Sequence, residues 1–196
     1  LATTRATNAL LERKGIPPVL LITKGFGDLL SIGNQTRPYL FSLDIQKPKP
    51  YPETVIEVEE RLDAEGKIII ELNEQKVRES IQAIPENQRQ TAAIVFLHSY
   101  LNPEHEKQVR SILKEEGFQY ISVSSEISPM IRVLERAQTT VVNAYLEPII
   151  NEYLDRVFDQ TGGESLKSFT IMTSAGGLRS RSEYYAKDSL LSGPAG

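Results

Sequence analysis

The sequence predicts an α/β protein with a layered, mixed or parallel sheet and flanking helices. Apolar runs alternate with amphipathic segments through the middle of the chain, in the order strand, helix, strand, helix, strand, which favours parallel pairing. The run at residues 92–97 is apolar on both faces, as expected of a central strand. The chain has 196 residues, 40% hydrophobic and 24% charged, which is ordinary for a globular protein of one large or two small domains.

The individual elements follow from apolar runs, helical periodicity and cap residues. The predicted strands lie at residues 19–22, 92–97, 120–123 and 169–172. The predicted helices lie at residues 5–14, from Asn73 to Pro85, from Asn102 to Gly117, and from Ser128 to about residue 160, where Pro148 is expected to kink or split the helix. The runs at residues 54–59 and 67–72 predict a hairpin at a sheet edge, with a turn at residues 63–66.

Residues 33–53 form an extended segment that is rich in proline and has no clear period. Its Arg37-Pro38 pair is followed by Tyr39 and Phe41. A stretch of this length inside a domain is either a functional lid or a surface crossover that packs its aromatic residues. The sequence leaves both readings open.

Composition excludes several classes of function. The formal net charge of −4, the pI of about 5.4 and the absence of a basic stripe argue against nucleic acid as a partner. No cysteine is present, so disulfides and thiolate metal sites are excluded, and we expect a cytoplasmic protein. No apolar run is long enough to span a membrane. Both ends look cut, so we expect an internal fragment that is inactive alone.

Two clusters of small residues are candidate ligand sites. Ser174, Gly176 and Gly177 follow a predicted strand, and such a turn can offer backbone N–H groups to a phosphate. The alternative is an ordinary tight turn. Ser192, Gly193 and Gly196 form the second cluster, which permits close ligand approach or is simply a loop.

Polar residues elsewhere also have two interpretations. Thr3, Thr4 and Asn8 lie at the start of the first helix, where they either cap the helix or line a polar pocket. His98 ends the predicted central strand and His105 opens the next helix. Strand carboxyl ends bind ligands in open sheets, so the pair could share a metal, although polar packing explains both.

Long motifs resemble the hydantoinase A/5-oxoprolinase family and occur in the family's order along nearly the whole chain. The resemblance is carried by residues 3–15 (TTRATNALLERKG), 23–33 (TKGFGDLLSIG), 60–66 (ERLDAEG), 97–106 (LHSYLNPEHE), 125–129 (SEISP), 135–146 and 171–177, and by the closing residues 192–196 (SGPAG). Ala2 and Leu1 depart from the Gly and His that are common there.

The resemblance implies an ATP-dependent enzyme that opens cyclic amides such as hydantoins and 5-oxoproline, by phosphoryl transfer to the amide oxygen with Mg²⁺. It implies part of an actin-like, ribonuclease H-like ATPase lobe and a hydantoinase B-type partner subunit or domain. It assigns nucleotide contacts to Ser174, Gly176, Gly177, Ser192, Gly193 and Gly196. Substrate or cleft contacts fall on Thr3, Thr4, Asn8 and Arg37. No catalytic residue and no metal ligand is assigned.

The resemblance also predicts two regions: an N-terminal α/β region at residues 1–128, and bridging helices with the start of the ATPase domain at 129–196. Two other functions stay open. One is a non-catalytic interaction or scaffold region, which could form a homo-oligomer. The other is a subunit of an acetone-carboxylase-like carboxylase, which shares the ATP step. The sequence does not separate these.

Overall fold

The computed structural model describes residues 1–34, 47–162 and 169–191. These residues fall into two compact units. The central unit is Pro17–Val141, and the terminal unit combines Leu1–Ile16 with Val142–Gly196. The long helix α6, Val133–Gln160, contributes residues to both units.

A four-stranded parallel sheet forms the middle of the central unit. Its strands are β1 (Val19–Thr23), β2 (Thr54–Val58), β5 (Thr91–Val95) and β6 (Tyr120–Val123), in the order β2-β1-β5-β6. All three neighbouring pairs are parallel. The α/β class with a parallel sheet is therefore confirmed. The chain passes from the inner strand β1 to the edge strand β2, and later from the inner strand β5 to the opposite edge strand β6. The order in which strands are added to the sheet therefore reverses between β1 and β5.

Helices α3 (Glu74–Gln82) and α4 (Glu104–Glu115) pack on one face of this sheet. The core comprises side chains from alternate strand positions and from the apolar faces of both helices: Val19, Leu21, Ile56, Val58, Ala92, Ile94, Phe96, Val77, Ile81, Val109, Ile112 and Leu113. Strands β1 and β5 are buried at every position, as their unbroken apolar runs predict.

Asn73 is the N-cap of α3, as the sequence predicts, whereas the N-cap of α4 is Pro103 and Asn102 precedes it. The Asn73 side chain accepts a hydrogen bond from Lys76 N at 3.0 Å. The Asn102 side chain accepts one from Glu104 N at 3.1 Å. Each bond satisfies an N–H that the first turn of a helix leaves unpaired.

The predicted hairpin is wrong in its first strand. The run at 54–58 pairs in parallel with β1, with Thr54 opposite Val19, and becomes the edge strand β2. The hairpin is instead formed by β3 (Arg61–Leu62) and β4 (Ile68–Ile70). Alternation indicates that one strand face is buried but not which strand is its neighbour, and burial of Ile56 and Val58 in the core decides it.

The turn of this hairpin is correctly predicted. The Asp63 carboxylate accepts hydrogen bonds from Glu65 N at 3.0 Å and Lys67 N at 2.8 Å. Gly66 has a φ of +81°, a backbone conformation that residues with a side chain rarely adopt. The remaining short elements of the central unit are α2 (Leu29–Ile32), the 3₁₀ turn Glu86–Gln88 and α5 (Ser124–Ile127).

The terminal unit contains α1 (Arg5–Leu11), β7 (Thr170–Met172), β8 (Leu178–Ser180) and the 3₁₀ turns Arg181–Glu183 and Ala186–Ser189. Strands β7 and β8 are antiparallel. Leu1 N donates to Thr170 O at 3.1 Å and Met172 N donates to Leu1 O at 2.8 Å, which is the bonding pattern of a parallel ladder.

Helix α6 begins at Val133 and continues through Pro148 to Gln160, so the proline does not split it. Gly15 lies against the ring of Tyr145 on this helix, where an added Cβ would fall 2.1 Å from a ring carbon. No helix among the described residues is long and apolar enough to cross a membrane.

Candidate functional site

A buried polar network lies at the carboxyl ends of β1, β5 and β6. Glu60 follows β2 and is 1% exposed. Its carboxylate accepts a short hydrogen bond from Thr23 Oγ1, and its other oxygen lies 2.9 Å from His105 Nδ1. Thr23 Oγ1 in turn accepts from Leu97 N at 2.9 Å. One glutamate thus fixes the ends of two neighbouring strands and the first turn of α4.

Glu106 organises the other side of the same edge. Its carboxylate accepts from Phe96 N at 3.0 Å, from Ser124 Oγ at 2.6 Å and from Ser125 N at 2.9 Å. The residue is fully buried. A buried carboxylate with three donors is well satisfied, since each hydrogen bond replaces one lost to water.

Arg136, near the start of α6, is the buried cation of this network. Its guanidinium donates to Phe96 O at 2.5 Å and to Met130 O at 2.9 Å, and lies over the Tyr100 ring at 5.5 Å. Burial lowers the pKa of Arg136, and the negative charge of Glu106 opposes that shift. The arginine joins the end of β5 to the segment that leads into α6.

A glycine-containing loop after β1 is held by a third glutamate, Glu57. Glu57 Oε1 accepts from Gly27 N and from Gly25 N, both at 2.9 Å. These two amides, with Gly27 contributing most, lower the pKa of the exposed Glu57 carboxyl. Arg61 crosses the same loop, donating to Lys24 O at 3.1 Å.

A cavity of about 270 Å³ adjoins this loop in the central unit. Charged residues of both signs line it, and Glu59 bridges Lys24 at 3.3 Å and Lys76 at 2.8 Å. Those two lysines lower the pKa of Glu59, Lys76 contributing most.

The sequence analysis did not identify three glutamates of this region as candidate site residues: Glu57, Glu59 and Glu60. The alternation of residues 54–60 marks Glu57 and Glu59 as solvent-facing and places Glu60 on the same face as Ile56 and Val58. A glutamate is rarely buried without a partner, and the partners of Glu60 are distant in sequence.

Similarity to known proteins was found over the whole chain. Residues 1–117 match the hydantoinase/oxoprolinase N-terminal region, and residues 136–196 match the hydantoinase/oxoprolinase model. The chain belongs to the hydantoinase/oxoprolinase family. The resemblance read from the sequence motifs is confirmed.

Individual proteins are also similar to this chain. A 5-oxoprolinase of Saccharomyces cerevisiae is 37% identical over 223 aligned residues, which cover 100% of this chain and 17% of that protein. The crystal structure of an ATP-dependent caprolactamase from Pseudomonas jessenii superposes with a TM-score of 0.83 at 29% identity, covering 99% of this chain and 29% of that one. A nucleotide-free acetone carboxylase gives a TM-score of 0.82 at 24% identity, covering 99% and 30% of the two chains, and shares the fold.

The predicted nucleotide residues of this family member lie partly in the described turn between β7 and β8. Ser174 N and Ser174 Oγ both donate to Asp188 O, at 2.6 and 2.7 Å. Gly176 N donates to Thr173 O at 2.9 Å and Gly177 N to Thr173 Oγ1 at 3.3 Å. Each of these three amides donates to an acceptor within the protein. Their assignment to nucleotide stays a prediction, as do Ser192, Gly193 and Gly196, which lie outside the described residues.

The predicted substrate residues have local roles in the terminal unit. Thr3 Oγ1 accepts from Arg5 N at 3.2 Å, as a cap does. Thr4 and Asn8 are exposed, and Asn8 N donates to Thr4 O at 3.0 Å. Arg37 lies outside the described residues, as do Tyr39 and Phe41. The assignment of substrate contacts to Thr3, Thr4, Asn8 and Arg37 is untested by these contacts and stays a prediction.

The two histidines have different surroundings. His105 is 1% exposed and belongs to the Glu60 network, which agrees with polar packing. His98 lies in the turn after β5, where its ring is 6.2 Å from that of Tyr100. Across the described ranges, no group of three or more His, Cys, Asp or Glu residues could hold a metal. The described residues therefore supply no protein cage for Mg²⁺, an ion that binds through few carboxylates and substrate phosphates in ATP-using enzymes.

Proposed function

We propose that this chain is part of an ATP-dependent hydrolase that opens a lactam or hydantoin ring by phosphoryl activation of the amide. The observation that carries the proposal is the 37% identity to a 5-oxoprolinase along the full length of this chain. The fold shared with a caprolactamase at 29% identity supports it, since both relatives are named for cyclic amides. The likeness to acetone carboxylase, at 24% identity, concerns the fold alone.

The proposal concerns a complete enzyme, because the chain spans 17% of the length of the 5-oxoprolinase it matches. In that enzyme ATP is a co-substrate with Mg²⁺, and a hydantoinase B-type subunit or domain is the partner. We expect the enzyme in the cytoplasm, and the 196 residues alone to be inactive. We propose that the chain contains two regions: an N-terminal α/β region at residues 1–128, and bridging helices with the start of the ATPase domain at residues 129–196.

A segment exchange tests this function. The matching segment of the yeast 5-oxoprolinase is replaced by this chain, and phosphate release from ATP and Mg²⁺ is measured with and without 5-oxoproline. We expect lactam-dependent release within about tenfold of the parent enzyme, equivalent to about 1.4 kcal/mol in the barrier. The isolated chain is expected to release none.

The control is the parent enzyme, prepared and assayed in parallel. A chimera that matches the parent in circular dichroism and gel filtration, yet releases no phosphate with 5-oxoproline, hydantoin or caprolactam, would contradict the proposal. Equal release with and without the lactam would also contradict it, since ATP use would then be unconnected with ring opening.

A further inference from the structure

His98 has an unusual backbone conformation for a residue with a side chain. Its φ is +61°, in the left-handed region that residues with a side chain rarely adopt. Arg13 is the other residue in the described ranges that has a side chain and a positive φ, at +52°. The two residues therefore allow a direct comparison.

The conformation of Arg13 is explained by the end of α1. Lys14 N donates to Ala9 O at 2.9 Å, and Arg13 N donates to Leu10 O at 3.3 Å. This is the bonding pattern of a left-handed helix cap, which satisfies the last carbonyls of the helix. Arg13 is exposed, and its strained backbone has a local structural reason.

His98 follows a strand, so no helix cap accounts for its conformation. It lies three residues beyond the end of β5, in the turn that leads to α4, and Leu101 N donates to its carbonyl at 2.9 Å. Strained backbone that no local structure explains marks a candidate functional residue.

The position of His98 in the fold is also that of a ligand site. Open parallel sheets bind ligands beyond the carboxyl ends of the strands where the strand order reverses, which here is between β1 and β5. The two carboxylates beneath this edge are bonded, Glu60 to Thr23 and His105, and Glu106 to Phe96 N, Ser124 and Ser125 N. The strand ends are therefore held rigidly. Three other buried atoms of the network have no hydrogen-bond partner among the described residues: His105 Nε2, Ser125 Oγ and Arg136 Nε.

His98 itself is left with unused hydrogen-bonding capacity. Its Nδ1 atom is buried and has no hydrogen-bond partner in the described parts of the chain. The side chain is only partly buried, so part of the ring meets solvent. A buried polar atom without a partner is costly, and a ligand that bonds the imidazole offsets that cost.

We propose that the carboxyl edge of the sheet at β1 and β5 binds a small ligand carrying a carbonyl-type oxygen, a carboxylate or an amide, and that His98 is the residue that contacts it. An imidazole can donate to such an oxygen and, in its other tautomer, accept from an amide N–H. The ring of Tyr100 lies 6.2 Å from that of His98. The inference does not depend on the proposed hydrolase activity, because it requires only the central unit.

Histidine NMR tests this directly, because the chain has two histidines and the buried His105 serves as an internal reference. The chain is labelled with ¹³C-histidine and titrated at constant pH and ionic strength with acetate or with 2-pyrrolidinone. The titration extends to about 50 mM, above the millimolar Kd expected for ligands of this size. We expect saturable movement of the His98 imidazole signal in at least one arm, while the His105 signal stays in place. The responding arm identifies carboxylate or neutral amide.

Two variants complete the test. His98→Asn removes the imidazole but keeps a residue that tolerates the left-handed backbone, and Arg13→Asn is the matched control. Saturation-transfer signals from the bound ligand are expected in the wild type and in Arg13→Asn, and are lost in His98→Asn, whose melting temperature and His105 signal are unchanged. The proposal is overturned if neither arm gives a saturable shift of the His98 signal, or if both histidine signals shift equally. It is also overturned if the ligand signals persist in His98→Asn.

Discussion

The carboxyl edge of the four-stranded sheet and the turn at residues 173–177 both contain hydrogen-bonded polar groups. The two regions differ in how far along the chain the bonding partners lie. At the sheet edge, partners come from distant parts of the chain: Glu60 joins Thr23 and His105. In the turn, Gly176 and Gly177 bond to Thr173, only a few residues away. The first arrangement buries charge and depends on the tertiary fold, whereas the bonds of the two glycines in the turn are local. Single substitutions should therefore cost far more at the sheet edge.

The largest effect is expected at Glu106. Glu106→Ala leaves Phe96 N, Ser124 Oγ and Ser125 N without their acceptor and removes the negative charge near Arg136. We expect a loss of about 3–5 kcal/mol in the free energy of unfolding, because a buried charge is left uncompensated. Urea denaturation followed by circular dichroism measures this loss.

Glu104→Ala is the control for this substitution, since Glu104 lies in the same helical turn but is exposed. Its unfolding midpoint should match that of the wild type. If Glu106→Ala also unfolds at the wild-type urea concentration, the network does not hold the strand ends together.

A smaller loss is expected from Glu60→Gln, which keeps the size of the side chain. The amide retains one acceptor oxygen, so only one of the bonds to Thr23 and His105 must change. We expect about 1–3 kcal/mol of destabilisation. The neighbouring exposed Glu59→Gln, which loses only surface ion pairs, should leave the urea midpoint almost unchanged. Equal midpoints for the two variants would show that burial of Glu60 has no energetic consequence.

In the local turn, Gly176→Ala should cost about 1–2 kcal/mol, because Gly176 has a φ of +81°. The strain is in the backbone, since no heavy atom of the described residues, apart from those of its chain neighbours, lies within 4 Å of the added Cβ. Gly177→Ala is the matched control: its Cβ would meet Thr173 Oγ1 at an ordinary 3.7 Å. Thermal melts of both variants distinguish them, and a lower melting temperature for Gly177→Ala than for Gly176→Ala would refute the assignment of strain.

The smallest effect is a pH dependence from Glu57. Hydrogen bonds from Gly27 and Gly25 lower its pKa below the ordinary value of 4.5 in the folded protein. The stabilisation is therefore complete above that value and is lost as pH falls through the lower, folded-state pKa. Glu57→Gln should flatten the dependence of the urea midpoint on pH below 4.5. The exposed Glu53→Gln is the control, and an equal change in both would argue against the loop amides as the cause.

Much of the fold could be predicted because its determinants are local. The unbroken apolar run of β5, the Asn73 cap and the turn residues Asp63 and Gly66 each act within a few positions, and each has the predicted structure. The partner of β2 could not be predicted in this way. Pairing depends on which surface buries Ile56 and Val58, and that surface is made by other strands.

For the candidate sites, too, local features could be predicted from the sequence and features that depend on distant segments could not. The sequence by itself determined the α/β class, the parallel alternation and membership of the hydantoinase/oxoprolinase family, because periodicity and long motifs are properties of contiguous residues. Only the tertiary structure decided that Glu60 and Glu106 are buried, and that His98 has a strained backbone at the point where the strand order reverses. Those features depend on segments that are far apart in sequence and meet only when the sheet has formed.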